Sequence, residues 1–200
     1  MLVIDWDDFI GGDSPETFPA PLAVTIGVFD GLHLGHRSLI RRILDEPGCL
    51  ATAVTFRQNP LKSIRPNGFA GDIFPLERKL SLMEELGVGL VVLIDFSREF
   101  GMMNGRDFIE LLLVRHKVKL IALGADFRCG HGLDVGAEGI REFALAKGVE
   151  TWIAPPVMDG GRPISSSRIR QALASGHVDE AERLLGGSGK PKPADERGDS

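Results

Sequence analysis

The segment GVFDGLHLGH at residues 27–36 sets His33 and His36 three positions apart across Gly35, and so uses two of the five histidines in the chain. Imidazole N–H groups donate to phosphate oxygens. Two such rings beside a residue without a Cβ could hold a phosphate against the main chain and balance charge as it develops there. Gly27 and Gly31 allow a tight backbone path, and a helix predicted to begin near His36 would offer free N–H groups and a positive dipole end to the same anion. A second segment, ISSSRIR at 164–170, supplies complementary groups. Ser165 and Ser166 can cap the following helix and present hydroxyls and N–H groups, while Arg170 offers a two-pronged cation. Each segment alone has a plainer reading: the histidines could be satisfied groups in a glycine-rich turn, and the serines no more than an N-cap.

The elements that must position these residues follow from periodicity. LAVTIGVF (22–29), LATAVTF (50–56), LVVLI (90–94), LIAL (120–123) and VETWIAP (149–155) are short apolar runs of the kind buried on both faces, each a predicted parallel strand. Between them lie helical spacings: Leu39, Ile40, Ile43 and Leu44; Leu76, Leu80 and Met83; Phe108, Leu111 and Leu112; Ile140, Phe143 and Ala144. Asn104 with Asp107 predicts a capped helix start, Pro75 opens another helix, and Gly87 and Gly148 follow helix ends. SSRIRQALAS and HVDEAERLL form two further helices divided by Gly176. The fold class is therefore α/β, a Rossmann-like doubly wound parallel sheet of about five strands. Such sheets bind ligands beyond the carboxyl ends of their strands, where residues 27–36 fall.

Composition narrows the function classes. With 43% hydrophobic and 26% charged residues, the 200-residue chain suits one globular domain. A formal charge of −5 gives no footprint for nucleic acid. No apolar run approaches the roughly 20 residues of a membrane span, and no secretory leader is evident, so a cytoplasmic location is expected. Cys49 and Cys129 lack metal-ligand spacing and are expected to be reduced thiols.

The stretch TIGVFDGLHLGH resembles the His-x-Gly-His signature of the adenylyltransferase module of bacterial FAD synthetases. VTFRQNP (54–60), LGADFRCG (123–130) and ISSSRIR resemble, in order and spacing, that family's Phe-(Asp/Glu)-Pro-His-Pro, Gly-x-Asp-Phe-Arg-Phe-Gly and Ile-Ser-Ser-Thr-x-Ile-Arg segments. The resemblance implies a nucleotidyltransferase that uses Mg²⁺ with ATP and joins AMP to FMN, giving FAD and pyrophosphate. On it, His33, His36, Ser165 and Arg170 are the expected catalytic groups. The expected nucleotide and flavin contacts are Gly27, Phe29, Asp30, Gly31, Gly35, Arg57, Asn59, Gly124, Asp126, Phe127, Arg128, Ser166 and Ser167. No metal ligands are singled out. The acceptor phosphate, with a second pKa of about 6, needs no strong base, so catalysis would rest on positioning and electrostatics.

The chain also departs from that pattern. In FRQNP, Arg57 replaces an acid, Gln58 a proline and Asn59 a histidine, and Val28 stands where the family has Asn. Arg57 is expected to supply the displaced positive charge to the phosphates. Residues 1–186 form the expected nucleotidyltransferase domain, and 187–200, SGKPKPADERGDS with the glycine before it, a disordered polar tail where the family continues into a riboflavin kinase. FMN would then come from a separate kinase. Two alternatives stay open: another phosphate-bearing acceptor, or a non-catalytic ATP- or flavin-binding protein on the same scaffold.

Overall fold

The computed structural model describes residues 1–11 and 18–187. The predicted polar tail, apart from Gly187, lies outside the described residues. In chain order the elements are β1 (Leu2–Asp5), α1 (Trp6–Gly11), β2 (Leu22–Ile26), α2 (Leu34–Leu44), β3 (Leu50–Phe56), α3 (Pro60–Ile64), α4 (Leu76–Glu85), β4 (Leu90–Ile94), α5 (Arg98–Met102), α6 (Gly105–Val114), β5 (Val118–Gly124), β6 (Arg128–Cys129), β7 (Val135–Gly136), α7 (Ala137–Leu145), β8 (Glu150–Ala154), β9 (Met158–Asp159), β10 (Arg162–Pro163), α8 (Ser166–Ala174) and α9 (Val178–Leu185).

The central sheet has six strands in the order β1-β4-β3-β2-β5-β8, all paired in parallel. Five are the predicted ones. The sixth, β1, adds an edge beside β4, and its Leu2 and Val3 are exposed. Every residue of β2 and β4 is buried, which accounts for their continuous apolar sequence. Where β2 meets β5, the Thr25 hydroxyl donates to the Ala122 carbonyl at 2.9 Å, so the one polar side chain of β2 is satisfied within the sheet.

Helices cover both faces. Leu39, Ile40 and Ile43 of α2, Leu82 and Met83 of α4, Ile169 and Leu173 of α8, and Leu184 and Leu185 of α9 build one core layer. Trp6 and Phe9 of α1, Phe108, Ile109 and Leu112 of α6, and Ile140 and Ala144 of α7 build the other. Predicted caps are in place: the Asn104 side chain accepts from the Asp107 N–H, and Pro75 precedes α4. Helix α2 starts at Leu34, two residues earlier than predicted, because His33 itself is the N-cap. The chain runs from β2 outward through β3 to β4, then returns to lay β5 on the opposite side of β2. The switch point is thus between β2 and β5, and the loop leaving β2 stands over it.

Candidate nucleotide-binding site

The loop between β2 and α2 takes a strained path. Phe29 (φ 53°) and Leu32 (φ 44°) both lie in the left-handed region, at about 1–2 kcal/mol each, and both are completely buried, which offsets the cost. Gly27 is needed because a Cβ there would sit 3.3 Å from the Phe29 ring. Gly31 has φ 84°, and a Cβ on it would press on Ile73 and Leu185. Phe29 was expected to contact the nucleotide; instead its ring is the buried floor beneath His36, edge-on at 5.1 Å between centroids.

Above that floor the two histidines stack, 3.7 Å between ring centroids and 16° between planes. His33 Nδ1 accepts the His36 N–H at 3.3 Å, capping α2. The acceptor role of Nδ1 puts the proton of the neutral ring on Nε2, the nitrogen left to donate to a ligand. A Cβ on Gly35 would lie 3.2 Å from the His33 ring, so the glycine makes room for the histidine as well as for a ligand. Burial pushes the His33 pKa down to about 4; it also pushes His36 well below 6.5, helped by the neighbouring His33 and Lys79. Both rings are therefore neutral near pH 7, so whatever charge they balance on a phosphate they balance as N–H donors. His36 Nδ1 is enclosed with no hydrogen-bond partner among the described residues.

Two segments more than 130 residues apart meet here. The Ser166 hydroxyl donates to the Asp30 carbonyl at 2.8 Å, and the Arg170 guanidinium pairs with the Asp30 carboxylate, which also accepts the Ile73 N–H at 2.8 Å. Burial raises the Asp30 pKa, against the Ile73 hydrogen bond and the Arg170 charge, which lower it. Asp30, expected to touch ligand, is thus the post to which α8 is tied. Ser165 caps α8 by accepting the Arg168 N–H at 3.2 Å, and Ser167 is exposed on its first turn. A Cβ on Gly35 would come 4.0 Å from the Ile164 carbonyl, so the start of α8 lies beside the histidine loop.

Beyond Asp30 a small cleft is lined by Val28, Arg57, Asn59, Asp72, Phe74 and Lys79. Arg57 does not reach toward the histidines as expected. Its guanidinium pairs with Asp5 at the end of β1 and, at 3.2 Å from Nε, with Asp95 after β4, so it ties the edge strand to the sheet. Asn59, expected on a phosphate, has its side-chain oxygen occupied as the N-cap of α3, accepting from Leu61 N at 3.1 Å. The cation that does lie buried in this cleft is Lys79 of α4. Its signal was present in LERKLSLMEELG: Lys79 is three residues after Leu76 and four before Met83, on the apolar face.

The GADFRCG segment is not brought to the histidines by any of these contacts. Asp126 is exposed beyond Gly124, where a Cβ would come 2.9 Å from its carboxylate. Phe127 packs into the α6–α7 layer as a loop anchor, and Arg128 Nε donates to the Leu133 carbonyl at 2.9 Å within its own hairpin. Burial pushes the Cys129 thiol up to about 12, in keeping with its expected inertness.

Among the described residues no three His, Cys, Asp or Glu side chains are grouped to hold a metal, and no helix is long and apolar enough to cross a membrane.

Solved structures agree with this fold. The chain resembles pantoate–β-alanine ligase from Francisella tularensis, with a TM-score of 0.58 at 14% identity over 94% of this chain and 86% of that one, a likeness of fold alone. It resembles more strongly a Streptococcus pneumoniae protein described as a macrolide-efflux protein, with a TM-score of 0.77 at 28% identity over 93% of this chain and 62% of that one. The architecture is thus a doubly wound parallel α/β fold, with a His-x-Gly-His loop at its switch point. Within that class the chain belongs to the FAD synthetase family, whose model matches residues 16–168. The bifunctional riboflavin kinase/FMN adenylyltransferase of Escherichia coli K12 is 34% identical over 167 residues, 82% of this chain and 53% of that protein. An FAD synthetase of Listeria monocytogenes is 26% identical over 86% of this chain and 72% of its own length. The chain spans about half the length of the bifunctional relatives it matches.

Proposed function

We propose that the protein transfers AMP from ATP to the phosphate of FMN, giving FAD and pyrophosphate. The observation that carries this reading is the stacked, neutral His33–His36 pair at the N-terminus of α2, at the switch point of a family-matched sheet. An FMN phosphate oxygen attacks the α-phosphorus of ATP, the new P–O bond forms, and the bond from the α-phosphorus to the bridging oxygen breaks as pyrophosphate leaves. His33 Nε2–H and the His36 ring donate toward the α-phosphate and strengthen as its oxygens gain charge. Neutral imidazoles suit this task, since two stacked cations would repel each other. The first turn of α8 and Arg170 receive the departing phosphates, with Arg170 exchanging Asp30 for a phosphate oxygen.

Among the described residues no cluster of three His, Cys, Asp or Glu side chains offers a protein cage for Mg²⁺. The ion is written as part of the substrate, Mg²⁺·ATP, held mainly by phosphate oxygens and water. FAD formation from ATP, Mg²⁺ and FMN by the purified chain, followed by chromatography together with pyrophosphate release, tests the reading. Pyrophosphate released in step with FAD supports it; ATP bound without either product leaves a binding protein, and product only with another phosphomonoester reassigns the acceptor.

A further inference from the structure

Lys79 is a buried ammonium whose hydrogen-bond partners are all neutral oxygens. Nζ donates to the Phe56 carbonyl at 2.8 Å, the Thr55 hydroxyl at 3.2 Å and the Val28 carbonyl at 3.3 Å. Thr55 Oγ1 in turn donates to the same Val28 carbonyl at 3.0 Å. Among the described residues Arg57 is paired with Asp5 and Asp95, Arg170 with Asp30, and Arg168 with Asp159 and Glu180, whereas Lys79 makes no ion pair. Burying an unpaired charge is costly, and a methionine of similar length would fill the same apolar face of α4 without that cost. Stability alone therefore does not account for a lysine here. What it joins does: Val28 begins the strained turn that carries His33 and His36, and Phe56 ends the adjacent strand.

We propose that Lys79 is a positioning residue for the transfer, its ammonium pinning the Val28 turn to the carboxyl end of β3 so that the histidine pair is held in one place over the α-phosphate. This rests on the transferase reading above. Its charge has a second consequence. Lys79 is one of the groups that lower the His36 pKa, after burial and His33, so it helps to keep the pair neutral. The titratable groups facing Lys79 are Asp30 from the β2 loop, Asp72 from the segment before α4, Arg57 just after β3 and the neutral His36 on α2. Burial pushes Lys79 down to about 8 against Asp30 and Asp72, which raise it. Loss of its proton above that pH removes a donor from the clamp.

The test compares the parent with Lys79→Met and Lys79→Arg, measuring FAD formation, ATP affinity by calorimetry and thermal stability. In the parent, kcat/KM should fall above about pH 8, following protonation in the free enzyme. Lys79→Met should keep or raise Tm, lose at least tenfold in kcat with a smaller change in KM for ATP, and lose the alkaline limb. Lys79→Arg should recover part of kcat with no limb near pH 8, since guanidinium does not titrate there. Activity within twofold of the parent in Lys79→Met overturns the proposal, as does a loss that follows Tm while the pH profile stays fixed. If the parent makes no FAD, the transferase reading fails first. Unchanged imidazole NMR resonances of His33 and His36 in Lys79→Met, with ATP bound, would then overturn the positioning role separately.

Discussion

His33 is a helix cap and, on the proposed reading, a donor to the phosphate, and two substitutions separate the roles. His33→Ala removes the Nδ1 acceptor that holds the His36 N–H, so it loses a cap worth about 1 kcal/mol as well as buried ring contacts. For a domain of this size each kcal/mol is about 2–4 °C in Tm. His33→Asn restores a strong cap and should recover most of that loss. Neither variant replaces the Nε2–H donor, so each should lose about 10² in kcat, the scale for one preorganised donor. The pH dependence of stability provides a further measure. His33 titrates at about 4 in the folded protein against 6.5 unfolded, so as pH falls the unfolded chain takes up the proton first. The resulting destabilisation is absent above pH 6.5, grows between 6.5 and about 4, and reaches on the order of 3 kcal/mol. His33→Asn should therefore show a shallower loss of Tm across that window than the parent. The assays are FAD formation and thermal unfolding from pH 4 to 8. A folded His33→Asn that forms FAD at the parental rate would refute the donor role, and an unchanged acid slope would refute the neutral buried ring.

Two further substitutions follow from the ion pairs. Asp30→Asn leaves Arg170 without its counter-charge and should lower stability by about 2–3 kcal/mol; saturating ATP, which offers phosphate oxygens to the freed guanidinium, should narrow the Tm gap to the parent. An equal gap with and without ATP would mean that Arg170 does not change partners. Arg57→Ala breaks contacts to two carboxylates that are more than half exposed, so it should cost less than about 1 kcal/mol and leave the calorimetric Kd for ATP within about twofold. A tenfold weaker Kd would put Arg57 on the phosphates after all.

What the sequence made legible was what local physics dictates. Fully buried strands read as unbroken apolar runs, the caps at Asn104 and Ser165 read as side chains suited to unpaired N–H groups, and the two polar motifs read as loops after strands. Strand β1 escaped because it is an exposed edge of four residues with no apolar alternation to reveal it. The charge state of the histidines was hidden for a different reason: residue type gives a ring, whereas stacking and burial decide whether it carries a proton. Arg57 was read as a substitute cation by adjacency to Asn59, but its choice of partners depended on Asp5 and Asp95, which approach it only when β1 joins β4 beside β3.

Those partner choices bear on how such a site handles highly charged substrates. A cleft with several free cations would hold pyrophosphate as firmly as ATP, and product release would suffer. Here Arg170 is held by Asp30, Arg57 by Asp5 and Asp95, and the histidines are neutral, so among these described groups the positive potential left for a phosphate is that of the α2 N-terminus and of Lys79. Binding a phosphate at Arg170 is then an exchange of one anion for another, whose net free energy is smaller than that of a bare contact. On the proposed reading, the neutral imidazoles respond most where charge appears during transfer, so the site would favour the transition state more than either the bound nucleotide or the departing pyrophosphate.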